Sequence, residues 1–189
     1  MKIILGSGSK WRADELRKAG IEFTQMSPDI NEKMIRDTDP KKLTLAIARA
    51  KAKAILGTIH EPALVITADQ VVMYEGAIRE KPENKEEALE FISSYADHPA
   101  EVVNGIVVTN TETGKTVEAI DRSTVSYKPS LKDVALEVVE KSYAMTCAGA
   151  LVTENPLMLA HEKERTGGDD SFNGLPIALV QKMLKEAEA

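Results

Sequence analysis

Six residues near the amino terminus, Ser7-Gly8-Ser9-Lys10-Trp11-Arg12, bring hydroxyls, cations and an indole into one short stretch. They follow the apolar run Ile3-Ile4-Leu5 and lead into Ala13-Asp14-Glu15-Leu16. A strand is therefore expected to end in a small-residue loop that opens into a helix. The first N–H groups of a helix lack intrahelical partners and carry partial positive charge, so such a loop attracts phosphate. Ser7, Ser9, Lys10 and Arg12 add donors, and Trp11 offers a flat face to a base. The same hexapeptide also suits a plain capped helix start with a surface tryptophan.

Carboxylates come next. Asp69 lies in Ala68-Asp69-Gln70 and is expected at the carboxyl end of the most apolar strand, residues 63–68. Ligands of open α/β sheets sit beyond such ends. A carboxylate there can hold Mg²⁺ or take a proton from water, although it can equally cap the following turn. Glu32, after Ser27-Pro28-Asp29-Ile30-Asn31, is a second carboxylate able to share a metal with Asp69; a solvated loop residue is its alternative.

Cations are more numerous. Arg49, Lys51 and Lys53 alternate along an alanine-rich helix, so the helical period does not allow all three on one face. One of them can point inward while the others meet water. Lys81 precedes Pro82, whose ring restricts its neighbour to an extended conformation. That suits a phosphate contact, and equally an edge-strand lysine that guards against strand addition. Gly114-Lys115-Thr116 ends like a phosphate loop, but no helix follows, so it reads as a hairpin turn. His60, His98 and His161 lack metal-ligand spacing. Cys147 reads as a small buried core residue.

These residues must be placed by elements. Strands are expected at 3–5, 22–26, 63–68, 71–74, 77–79, 101–110 and 116–127. Helices are expected at 10–19, 40–56, 84–94, 131–140 and 175–187, with 143–152 mixed and 164–173 a polar loop. Alternating strands and helices in the first half predict an α/β architecture, and the long central hairpin predicts a mixed sheet. A composition change near Asp97-His98-Pro99 is the expected division between two lobes of one domain, 1–189.

Composition narrows the classes. A chain of 189 residues buries roughly 70% of its unfolded surface, enough to fold without disulfides or a structural metal. The net charge of −6 speaks against a general nucleic-acid binder but allows a local basic site for a small polyanion. The single cysteine points to a reducing cytoplasm. No apolar run approaches the roughly 20 residues of a membrane span, and the start Met1-Lys2-Ile3-Ile4-Leu5-Gly6 is too short for a signal peptide.

Taken in order, these segments resemble the Maf family of nucleoside triphosphate pyrophosphatases. The likeness rests on Ser7, Ser9, Trp11 and Arg12 with Leu16, on Ser27 through Glu32, on Ala48 through Ala52 with Lys51, on Ala68 to Val71, on Lys81-Pro82 and on Gly174-Leu175-Pro176. The resemblance implies a twisted mixed sheet flanked by helices, with two lobes and a central cleft. It implies hydrolysis of a nucleoside triphosphate to the monophosphate and pyrophosphate, aided by Mg²⁺ or Mn²⁺. Asp69 carries over as the catalytic carboxylate and, with Glu32, as a metal partner. Ser7, Ser9, Arg12, Lys51 and Lys81 carry over as phosphate contacts. The expected partner is a small nucleotide, with neither nucleic acid nor membrane, and a homodimer is compatible.

Trp11, Gln70 and Glu154 resemble the 7-methyl-GTP branch of the family, with Cys147-Ala148-Gly149 shortly before Glu154. In the dTTP/UTP branch arginine, threonine and a late glutamine stand where this chain has Trp11, Gln70 and Thr146. The substitutions make chemical sense. N7-methylguanine is cationic, tryptophan is the best ring for cation–π stacking, and a carboxylate accepts from guanine N1 and N2. Gln70 offers one donor and one acceptor. Lys10, Asn104 and the segment 157–170 depart from the family pattern. The alternatives are a dTTP/UTP/CTP pyrophosphatase of the same fold, or a nucleotide-binding regulator of cell division without turnover.

Overall fold

The computed structural model describes residues 1–189. Its strands are β1 (Lys2–Gly6), β2 (Thr24–Met26), β3 (Ala63–Tyr74), β4 (Ala77–Arg79), β5 (Ala100–Asn110), β6 (Thr116–Tyr127) and β7 (Glu162–Arg165). Its helices are α1 (Lys10–Lys18), α2 (Pro40–Leu56), α3 (Lys85–Ser94), α4 (Leu131–Lys141), α5 (Pro156–His161), α6 (Asp169–Phe172) and α7 (Ile177–Glu188). One seven-stranded sheet has the order β2-β1-β3-β5-β6-β7, with β4 also paired to β3. β1 pairs in parallel with β2 and β3, whereas β3–β4 and β6–β7 are antiparallel. The expected mixed α/β sheet is therefore present.

Contacts divide the chain into two compact units. The first holds Met1–Gln70, Asn104–Asp121 and Asn173–Ala189; the second holds Val71–Val103 and Arg122–Phe172. The division does not fall at Asp97-His98-Pro99. Those residues close α3 and lead into β5, and the chain passes between units inside β3, β5 and β6 and again after Phe172.

In the first unit the two-residue period of β3 sets the packing. Leu64, Ile66 and Ala68 join Leu5, Ile106 and Val108 against Ala13 and Leu16 of α1 and Val180, Met183 and Leu184 of α7. Ala63 and Val65 face the other way, with Ile4 and Ile55. Val107 packs there on Ala48 and Ala52 of α2. Full burial of each large aliphatic side chain contributes roughly 1.5–3 kcal/mol. Asp69 belongs by period to the α2 side. In the second unit Val72, Tyr74, Val102, Val125 and Tyr127 pack with Ile92 and Tyr95 and with Leu131, Ala135 and Val138 of α4.

Three expectations change. Residues 63–68 and 71–74 form one continuous strand, because Gln70-Val71-Val72-Met73-Tyr74 keeps β-forming residues throughout; Asp69 thus lies within β3, not at its end. The polar segment 164–173 contains the second half of β7 and all of α6, held by Arg165 on Glu162 and Asp169. Cys147 is half-buried at the margin of the second unit's core, not fully inside it. The structure also contains α5, started by Asn155, whose side chain accepts from the N–H of Leu157 and Met158, with Pro156 at its first position.

Candidate active site

The loop after β1 is held from both sides. Ser7 is buried, and its Oγ accepts from the N–H of Ser9 at 3.2 Å. Ser9 caps α1, its side chain accepting from the Arg12 N–H at 3.4 Å. Gln25, which pairs with Leu5 across the β1–β2 ladder, donates from Nε2 to the carbonyls of Ser7 at 2.8 Å and Ser9 at 3.4 Å. Those bonds fix the orientation of the loop's peptide planes. Gly8 passes so near Ser27 that an added Cβ would lie 3.1 Å from its Oγ.

Arg12 lies beneath this loop, 9% exposed. Its Nε donates to the Gly174 carbonyl at 3.1 Å and one terminal nitrogen donates to Ser7 Oγ at 3.2 Å. Gly174 adopts a φ of +85°, open to glycine at little steric cost. Burial lowers the pKa of the Arg12 guanidinium, while Asp69 and Glu32 act in the opposite direction. The cation is therefore in the field of both carboxylates.

Lys51 is the centre of the cluster. Of the alternating cations on α2 it alone is buried, 5% exposed, whereas Arg49 and Lys53 face solvent. Its Nζ donates to Asp69 Oδ1 at 2.8 Å and to the Ala68 carbonyl at 3.4 Å, and lies 3.0 Å from Glu32 Oε1. Thr67 Oγ1 donates to the Ala48 carbonyl at 2.8 Å, which pins β3 to α2 one turn from Lys51. Glu32 comes from a short 3-10 turn, Glu32–Met34, and its side chain is 51% exposed; that of Asp69 is 11% exposed.

The predicted residues thus fall into two groups. Ser7, Ser9, Trp11, Arg12, Glu32, Lys51, Asp69 and Gln70 belong to the first unit, and Arg12, Lys51 and both carboxylates interact there. Trp11 is half-buried, with Lys10 Nζ 4.2 Å from its ring centroid. Lys81 and Glu154 belong to the second unit and are exposed. Lys51 meets carboxylates, not solvent.

The second unit ties the Lys81 segment to the segment before Glu154. The Gly149 N–H donates to the Glu80 carbonyl at 2.8 Å, and Tyr95 Oη donates to the Gly149 carbonyl at 2.7 Å. Gly149 has φ +58°, and a Cβ there would lie 2.5 Å from Tyr95 Oη and 2.8 Å from Val72 Cβ. Glu154 accepts a hydrogen bond from Tyr143. Arg79, just before Glu80, lies over the rings of Tyr74, Phe91 and Tyr95.

Gln25, Tyr95 and Tyr143 were not legible as site supports. They act through hydrogen bonds to residues 11 to 54 positions away in the chain, and no local spacing encodes those. The only local signal was a polar Gln25 at a strand end beside the Ser27-Pro28 turn.

The donor set also bears on a metal. Asp69 and Glu32 present hard oxygen ligands within reach of one ammonium, which fits a Mg²⁺-type ion. No group of three or more His, Cys, Asp or Glu converges, so phosphate oxygens and water would complete such an ion's shell.

A mixed sheet with a parallel β1–β3 pair, whose β1 loop opens into α1 and its buried Arg12, defines an α/β protein. The chain belongs to the Maf family: the family described as Maf-like protein matches residues 2–187. It is 40% identical over 191 aligned residues to a 7-methyl-GTP pyrophosphatase from Dictyostelium discoideum, covering 97% of this chain and 96% of that protein. A 7-methyl-GTP pyrophosphatase from Vibrio vulnificus is 30% identical over 176 residues, covering 93% and 90%. A solved nucleoside-triphosphatase / dITP/XTP pyrophosphatase from Mycobacterium abscessus aligns with a TM-score of 0.43 at 17% identity, covering 68% of this chain and 75% of that one. No helix is long and apolar enough to cross a membrane.

Proposed function

We propose that this protein hydrolyses 7-methyl-GTP, or a closely related nucleotide, to the monophosphate and pyrophosphate. The observation that carries the reading is the pairing of a carboxylate centre with a phosphate-type loop in one unit: Asp69 and Glu32 on Lys51, with Arg12 and Ser7 adjoining. Relatives that span nearly the whole chain carry the name of that activity.

In this reading water attacks the α-phosphorus, the bond from that phosphorus to the bridging oxygen breaks, and pyrophosphate leaves with the electron pair. Asp69 takes the proton that water loses. Arg12 and the N–H groups of the Ser7–Ser9 loop face the charge that grows on the phosphate oxygens. Asp69 and Glu32 would hold Mg²⁺ or Mn²⁺, which when bound offsets negative charge on the phosphates. Lys81 keeps the phosphate contact, and Trp11, Gln70 and Glu154 the reading of the base, that the family resemblance gives them. A reducing cytoplasm is the compartment that suits the lone Cys147.

The test is turnover of a nucleotide panel with Mg²⁺ or Mn²⁺, read by pyrophosphate release, beside Asp69→Asn. The expected result is preference for 7-methyl-GTP over UTP and dTTP, and a loss of about 10²- to 10⁴-fold in the variant, the range for removal of a general base. Preference for UTP or dTTP would move the protein to the other branch. Binding without turnover in both proteins would make it a regulator. Sedimentation of the same preparation reads whether it works as a homodimer.

A further inference from the structure

The Lys51 ammonium has three N–H donors and three acceptors around it: Asp69 Oδ1 at 2.8 Å, Glu32 Oε1 at 3.0 Å and the Ala68 carbonyl at 3.4 Å. Its bonding is complete before any substrate arrives. A phosphate oxygen can reach it only if one of those acceptors lets go. Glu32 is the one able to do so, since its side chain is half exposed on a short 3-10 turn with no side-chain cap. Asp69 is fixed in the middle of β3 and almost fully buried.

We infer that Lys51 is an exchangeable internal counter-ion that makes nucleotide and metal bind interdependently. This rests on the function proposed above and adds to it how the site loads. With Lys51 on both carboxylates, a divalent cation alone must compete with a covalently tethered ammonium for Asp69 and Glu32. A polyphosphate alone must draw Lys51 away and leave two carboxylates facing its own negative charge. When both arrive, Lys51 turns to the phosphate and the cation takes the carboxylates, so neither charge is stranded. Unpaired buried charge is what such a site must avoid. Because coupling free energy is reciprocal, metal raises nucleotide affinity by the factor by which nucleotide raises metal affinity.

The discriminating variant is Lys51→Met, which keeps most of the length of the side chain and removes the ammonium. The probe is Mn²⁺ alone, with free ion counted by electron paramagnetic resonance and no nucleotide present. Wild type is expected to bind Mn²⁺ weakly and Lys51→Met about tenfold more tightly, within the range common for coupled sites. A non-hydrolysable α,β-methylene triphosphate should strengthen Mn²⁺ binding to wild type by a similar factor and barely change that of Lys51→Met. Thermal unfolding gives a second readout if the variant is unstable: Mn²⁺ should raise its Tm more than that of wild type, since a ligand stabilises what it binds. Lys51→Arg keeps the positive charge and should bind Mn²⁺ alone as weakly as wild type.

Equal or weaker Mn²⁺ binding by Lys51→Met, with no larger Tm shift, would overturn the inference. The Mn²⁺ measurement needs no turnover. A protein that hydrolyses no nucleotide yet gains Mn²⁺ affinity on losing Lys51 would sink the proposed activity and leave the counter-ion standing.

Discussion

In the proposed function, base preference turns on Trp11. Its indole attracts a cation in the structure, the Lys10 ammonium 4.2 Å from the ring centroid. A cation over tryptophan contributes about 0.5–2 kcal/mol, which corresponds to a factor of roughly two to thirty in kcat/KM. Trp11→Arg replaces that face with a like charge. It should lower kcat/KM for 7-methyl-GTP by about that factor more than for UTP. Steady-state kinetics on both substrates reads the difference, and equal losses would refute base stacking. Gly174 illustrates a different dependence. Its carbonyl holds Arg12 Nε, and a Cβ there would sit 3.0 Å from the same nitrogen. Gly174→Ala should therefore weaken the nucleotide complex through Arg12, seen as a raised KM.

Among the elements, α2 decides whether the centre exists, because it carries Lys51 to Asp69. It approaches β5 closely at Gly105, where an added Cβ would lie 2.6 Å from both the Leu45 nitrogen and the Thr44 carbonyl carbon. Those are backbone atoms, so a Gly105→Ala variant must move the helix or the strand. Overpacking of this kind costs about 1–3 kcal/mol, and occasionally more. Urea denaturation should show that loss, and pyrophosphate release should fall as Lys51 is displaced. Unchanged stability would mean that the helix shifts freely. The course of α2 is legible in the sequence from its alanine-rich content between Pro40 and Gly57, and the structure adds Asp39 as its cap. The capped start of α1 is legible from local sequence as well. Asp69 stands out in the sequence as a carboxylate following an apolar run, but the strand does not end there. β-forming residues continue past it, and its position is fixed instead by period-two alternation toward α2. β7 and α6 leave little trace in the sequence because they are short and polar and are held by ion pairs such as Arg165 with Glu162 and Asp169, whereas α5 is a short, mostly apolar turn of helix whose Met158 is buried in the second unit's core. Local patterns reveal caps and periods, whereas Gln25 on the loop carbonyls and Tyr95 on Gly149 join residues far apart in the chain.

At the scale of the whole molecule, stability toward high pH rests on buried phenols. Burial pushes the Tyr95 hydroxyl up to about 12, against the opposing influence of Arg79. It raises Tyr127 further still, and Glu162 adds to the effect. In the unfolded chain both titrate near about 10. The native state therefore holds more protons than the unfolded state once pH exceeds that value. Their contribution is complete below about pH 10 and declines as pH rises through the native pKa values. Each phenol adds at most about 1.4 kcal/mol per pH unit to the downward slope, and the pair about 2.7. The two hydroxyls differ in one respect. Tyr95 Oη donates to the Gly149 carbonyl, whereas Tyr127 Oη is buried without a hydrogen-bond partner. Tyr95→Phe should cost about 1–2 kcal/mol at neutral pH, since a carbonyl loses its donor, and Tyr127→Phe should cost almost nothing. Above pH 10 each variant should unfold with a slope shallower by about 1.4 kcal/mol per pH unit. Urea titrations followed by far-UV circular dichroism between pH 7 and about 11 measure both quantities. A Tyr127→Phe variant as destabilised at neutral pH as Tyr95→Phe would show that its hydroxyl has a partner after all. Unaltered alkaline slopes would show that neither phenol is protected by the fold.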